Sequence, residues 1–124
     1  VSGEISLHNQ FESAIAEFLG LEKAVVFVSG YATNVSTLGY LFGPGDLILH
    51  DALIHNSVIT GAKLSGARRM PFPHNDPAAL DSILSDVRKQ YRRVVIVTEG
   101  VFSMDGDIAK LPELVAIKQR HNAL

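Results

Sequence analysis

Four short strand-like segments, residues 24–28, 46–50, 67–72 and 94–97, the first and last of them wholly apolar, constrain this chain more than any other feature. Each has the length of a buried strand, and between them apolar residues recur at three- and four-residue spacing, the mark of a helix with one buried face. Leu7, Phe11, Ile15, Phe18 and Leu19 make the first such stripe, with Ser6 placed to cap its start and Gly20 just past its end. Residues 32–42 continue as a helix until Gly43-Pro44-Gly45, a turn that no helix survives. Ile54, Val58, Ile59 and Ala62 give the next helix its apolar face, and Pro71 and Pro73 end the third strand. Asn75 or Asp76 before Pro77 is a helix start, and Leu80, Ile83, Leu84, Val87 and Tyr91 carry that stripe to the fourth strand. Pro112 opens a last helix through His121. Strands alternating with helices predict an α/β fold in three layers, a mainly parallel sheet covered by helices on both faces, with residues 1–124 as one unit without repeats or linkers.

A chain of 124 residues can bury roughly two thirds of its unfolded surface around one core. Apolar residues make up 47%, charged residues 19%, and the formal net charge is −2. That balance offers no basic field for nucleic acid or an anionic membrane, so a small molecule or another protein is the expected partner. Cysteine is absent, which excludes disulfides and thiolate metal sites, and no apolar run is long enough to span a bilayer. A cytosolic setting fits. The chain begins at Val1, which leaves a targeting peptide untestable and fits an internal piece of something longer.

Parallel strands would bring three polar clusters to one edge of the sheet: Ser29-Gly30-Tyr31, residues 50–55, and residues 99–103. Ligands of open α/β sheets collect at that edge. Ser29 to Asn34 lies between a strand and a helix, where backbone amides and the helix dipole suit a phosphate; spacing alone makes it an ordinary glycine turn, neither a Rossmann fingerprint nor a Walker loop. His55 stands where an apolar helix begins and reads either as a surface histidine or as a flat stacking partner and proton carrier. His74 precedes a helix cap and reads as structural; His8, His50 and His121 show no metal-binding pattern. The stretch 98–107, Thr-Glu-Gly-Val-Phe-Ser-Met-Asp-Gly-Asp, leaves a strand for a loop of turn formers, with Asp105 and Asp107 expected to fix the loop.

That stretch closely resembles the signature of the α-oxoamine synthases, pyridoxal-phosphate-dependent acyltransferases. So do Ser29-Gly30-Tyr31-Ala32-Thr33-Asn34, the Asp-x-x-x-His-x-Ser frame from Asp51 to Ser57, and residues 3–20 with His8, Glu12 and Phe18-Leu19-Gly20. The resemblance covers essentially the whole chain and implies the first part of a fold-type-I large domain. It implies that the Gly30 and Tyr31 amides contact the cofactor phosphate, that His55 stacks on the cofactor ring as the catalytic residue, that Ser103 hydrogen-bonds the cofactor, and that Glu99 lies in the same pocket. It further implies an amino acid and an acyl-CoA as substrates, usually with loss of carbon dioxide, and a homodimer.

Such chemistry needs a lysine to hold the cofactor and an acid on its ring nitrogen. Lys23, Lys63, Lys89, Lys110 and Lys118 all lack the family's lysine context. The expectation is therefore a fragment, roughly a third of such an enzyme, inactive by itself. A lyase or aminotransferase of the same fold type, or a non-catalytic truncated scaffold, are the alternatives.

Overall fold

A computed structural model describes residues 3–124. The chain divides into two compact units, the first ending at Thr33 and the second running over Asn34–Leu124.

In the first unit α1 spans Ser6–Leu19. Ser6 is its first helical residue and not its cap; Ile5 holds that position, its amide donating to His8 Nδ1 at 3.4 Å. The C-terminus closes as expected at Gly20, whose φ of 66° is the left-handed conformation that glycine adopts without strain. Gly20 N–H reaches the Glu17 carbonyl and Leu21 N–H the Ala16 carbonyl, the paired bonds of a Schellman motif. The apolar stripe is realised as a pattern, yet Leu7, Phe11, Phe18 and Leu19 are exposed and Ala16 is the one buried residue of α1.

Residues 24–28 do not form the expected buried strand. The segment has no ladder partner among the described residues, Val28 is 98% exposed, and the amide of Val26 donates to Glu12 Oε1 at 2.8 Å instead of to a neighbouring strand. β-Branched residues favour extension, but only paired backbone makes a strand.

Helix α2, Gly30–Leu41, begins two residues earlier than its periodicity indicates. Ser29 caps it: the Oγ accepts from Ala32 N–H at 3.1 Å and the carbonyl accepts from Thr33 N–H at 2.9 Å.

The second unit then follows the predicted alternation: β1 Leu47–Asp51, α3 Asn56–Ser65, β2 Arg68–Phe72, α4 Pro77–Val87 with a 3-10 turn at Arg88–Gln90, β3 Val94–Val97, and α5 Leu111–Arg120. Asp76 caps α4 through Oδ1 to the Ala79 amide, with Pro77 in the first turn as the sequence predicts. The strands are parallel in the order β2-β1-β3, with Leu47 opposite both Arg68 and Val94.

Every residue of β1 is buried, because helices cover both faces of the central strand. Leu47, Leu49, Phe72 and Val94 pack with Leu80 and Leu84 of α4 and with Leu114 and Ile117 of α5. Leu38 of α2, Ile54 in the turn before α3 and Val58 of α3 form a second cluster with Val97 of β3. Each fully buried Leu, Val or Phe side chain contributes about 1.5–3 kcal/mol relative to exposure. Gly61 lets α3 approach the preceding helix: a Cβ there would stand 2.8 Å from the Asn34 carbonyl oxygen and 3.0 Å from Val35 Cα.

Asp46, just before β1, is fully buried and accepts from the Gly43 amide and from the guanidinium groups of Arg92 and Arg93. The arginines, Arg93 foremost, hold its carboxyl well below the usual carboxylate range. This cluster ties the Gly43-Pro44-Gly45 turn to the start of β3, at the end of the sheet away from the candidate site. No helix among the described residues is long and apolar enough to cross a membrane.

Candidate active site

From β1 the chain crosses to β2 on one side of the sheet, then returns to form β3 on the other. The connections leaving the carboxyl ends of β1 and β3 therefore diverge, opening the crevice in which open α/β sheets bind ligands. His55 follows β1 and Glu99 follows β3, and across this switch point the His55 amide donates to Glu99 Oε1 at 2.7 Å.

His55 is also the N-cap of α3, its Nδ1 accepting from the Ser57 amide at 3.2 Å. A backbone N–H can only donate, so Nδ1 presents a lone pair and the neutral ring carries its proton on Nε2. Ser57 Oγ, 2.7 Å from Nδ1, then donates to the same nitrogen and accepts from Asn34 Nδ2 at 2.8 Å. Asn34, Ser57 and Glu99 thus fix the position and tautomer of an exposed imidazole, whose Nε2–H has no partner among the described residues.

A second group of contacts lies beside the first. Asp51, the last residue of β1, is buried; its Oδ1 accepts from the Leu53 amide and from His74 Nδ1, and its Oδ2 accepts from the Asn75 amide. The Leu53 bond, with Ile54 N–H to the Asp51 carbonyl, shapes the turn that delivers His55. His74 Nε2 donates to Asp107 Oδ2 at 2.6 Å. The Asp51 and Asp107 carboxylates raise the His74 pKa above that of a free histidine. His50, buried on the opposite face of β1, differs: Nδ1–H donates to the Asp51 carbonyl, Nε2 accepts from Arg69, and burial pushes its pKa down.

The loop after β3 folds back as a small hairpin. Val101 and Ile108 form an antiparallel bridge, Phe102 N–H bonds the Asp107 carbonyl, and Gly106 at φ 74° turns the chain. Phe102 is buried, while Ser103 and Met104 are exposed. Ser103 makes no hydrogen bond with the described residues.

His55, Glu99 and Ser103 accordingly all follow the carboxyl ends of strands in the second unit, with His55 and Glu99 in direct contact. Gly30 and Tyr31 belong to the first unit, where they supply the first two amides of α2. A Cβ built on Gly30 would meet nothing within 4 Å, so this helix start is open to a ligand's close approach. Dipole and amides there suit a phosphate. Within the second unit, the His55 ring offers a flat face and Ser103 a free hydroxyl, chemistry that suits an aromatic cofactor such as pyridoxal phosphate.

An open parallel sheet, with the His55 amide bonded to the Glu99 side chain at its switch point, defines an α/β protein with a candidate ligand crevice there. The aminotransferase class I and II family model matches residues 1–124, and the chain belongs to that family. It is 51% identical over 124 residues to the 8-amino-7-oxononanoate synthase of Citrifermentans bemidjiense, covering 100% of this chain and 32% of that protein. Among solved structures, a serine palmitoyltransferase of Sphingomonas wittichii superposes with a TM-score of 0.94 at 39% identity, over 100% of this chain and 31% of the other. A lysine-to-alanine variant of the serine palmitoyltransferase of S. paucimobilis, solved with a bound PLP–myriocin aldimine, superposes with a TM-score of 0.94 at 35% identity, again over 100% of this chain and 31% of the other. The chain spans about a third of the length of the curated relatives it matches. The fold and the α-oxoamine synthase resemblance expected from the sequence are both borne out.

Proposed function

We propose that the protein carrying this chain is a pyridoxal-phosphate-dependent acyltransferase of the 8-amino-7-oxononanoate synthase type. It condenses an amino acid with an acyl-CoA thioester, with loss of carbon dioxide. The observation that carries this reading is His55, held at the switch point by Glu99 and locked in one tautomer by Ser57 and Asn34.

Pyridoxal phosphate supplies an electron sink for negative charge developing at the amino-acid α-carbon. The residues of this chain bind and orient. Gly30 and Tyr31 amides hold the phosphate at the positive end of α2. His55 offers its ring face to the cofactor ring and Nε2–H as a hydrogen-bond donor; with Nδ1 engaged by Ser57, the ring orients rather than abstracts a proton. Ser103 donates its hydroxyl to the cofactor, and Glu99 sets the height of the His55 backbone.

The lysine and the ring-nitrogen acid come from sequence outside this chain. The assignment is supported by the chain's match to about a third of its relatives' length. A homodimer in the cytosol is part of the same proposal. The test is to assay the full-length protein for pyridoxal-phosphate absorbance and for amino-acid-dependent release of free CoA. Retention of the cofactor without CoA release from any acyl-CoA would overturn the acyltransferase reading in favour of another activity of the fold.

A further inference from the structure

We propose that His74 is a positioning residue of this site: its ring ties Asp51, at the end of β1, to Asp107, in the hairpin after β3, and so holds Ser103 in place for the cofactor. The role at the cofactor rests on the reading given above; the tie between the two carboxylates does not.

His74 Nδ1 lies 2.8 Å from Asp51 Oδ1 and Nε2 lies 2.6 Å from Asp107 Oδ2. Ionised carboxylates only accept, so both ring nitrogens donate and the ring between them is an imidazolium. Asp107 gives its second oxygen, Oδ1, to no described residue although that atom is buried, which leaves His74 its main source of positive charge. The His74 ring also meets the buried Phe102 edge to face, centroids 4.5 Å apart at 89°, immediately before Ser103 in the chain.

Asn75 completes the tie. At φ 50° it directs its amide to Asp51 Oδ2, its Nδ2 to the Ile108 carbonyl and its Oδ1 to the Lys110 amide. Two adjacent residues thus join the strand end to both the returning arm and the exit of the hairpin. Asp51 also shapes the turn before His55, so His74 touches the two branches of the site at once: the Asp51 turn on one hand, the Ser103 hairpin on the other.

The experiment uses the full-length protein with His74→Ala, Asp107→Asn and the double variant. It measures hydrogen–deuterium exchange over residues 99–108 and over α4, together with loss of pyridoxal phosphate on dilution. Each single variant should speed hairpin exchange and cofactor loss by about tenfold while α4 exchanges as before, and the double should be no worse than His74→Ala. Asp107→Asn keeps the ring and nearly the same shape, so it decides the matter if His74→Ala fails to fold. Unchanged hairpin exchange, full additivity in the double variant, or a loosened hairpin with unchanged cofactor retention would each overturn the proposal. A wild-type protein that takes up no pyridoxal phosphate sinks the cofactor reading separately, and hairpin exchange then decides the tie alone.

Discussion

The amide of His55 donates to Glu99 Oε1 at 2.7 Å, joining the connections that leave two neighbouring parallel strands. This bond ties a residue with an exposed ring to the segment that leads into the Ser103 hairpin. Glu99→Ala removes one hydrogen bond to a charged acceptor, at a solvent-exposed position, and should cost about 1 kcal/mol of local order. The expected readout is weaker binding of the amino-acid substrate with little change in unfolding midpoint. An equal effect from Glu99→Gln, which keeps an acceptor oxygen but not the charge, would show that the charge matters more than the bond.

His55→Ala loses both an N-cap and a stacking face. Stability should fall by about 1 kcal/mol. Cofactor retention should weaken by about tenfold, the scale of one aromatic contact. His55→Asn keeps a capping side chain, so it should restore stability without restoring retention; equal loss of both in the two variants would make the residue a cap and nothing more.

Gly61→Val should destabilise by about 1–3 kcal/mol, because its side chain has nowhere to go between α3 and the Asn34–Val35 backbone. Denaturant midpoints measure that loss. The variant should also disturb the Asn34–Ser57–His55 chain, visible as altered ring-nitrogen shifts of His55 in NMR.

Asp46 makes the acid limb of stability. Its folded pKa lies below the ordinary value of 3.8, so its stabilisation is present above that value and drains away as the pH falls through and below it. Asp46→Ala should cost about 2 kcal/mol at neutral pH, from lost bonds to charged partners. Unfolding midpoints of wild type and variant should stay apart down to about pH 4 and converge only below it, towards the lowered folded value; a constant gap would mean that the charge contributes nothing.

His74 works in the other direction. Its folded pKa is raised by Asp51 and Asp107, so its contribution is complete below the free-histidine value of 6.5 and is lost as the pH climbs through the raised one. Wild type should lose midpoint relative to His74→Asn on going from about pH 6 to about pH 9, and parallel curves would contradict the imidazolium.

Much of the second unit was legible in the sequence because its signals are local. Residues 94–97 form the expected strand and Asp76-Pro77 starts the expected helix; in the first unit Gly20 ends α1 where a glycine should. Residues 24–28 carry an equally strong strand pattern and pair with no strand among the described residues, since a run of Val and Phe specifies extension but not a neighbour. At the site, His55 could be read from its frame with Asp51 and Ser57. Its bond to Glu99 spans 44 positions, and the His74 bonds to Asp51 and Asp107 span 23 and 33; no periodicity encodes such pairs. His74 looked like a residue before a helix cap, and the two carboxylates on either side of it appear only once β1 and the hairpin lie next to one another.

Asp46 just before β1 and Asp51 at its end bracket the central strand, one held by arginines and the other by a histidine. The bracket gives the central strand a chemical polarity. Acid releases the end that faces away from the site, alkali the end that builds it, so the two extremes of pH should open the same strand from opposite directions. A protein arranged in this way can lose its candidate site in alkali while its core still stands, and in acid it keeps that site until the sheet itself begins to come apart.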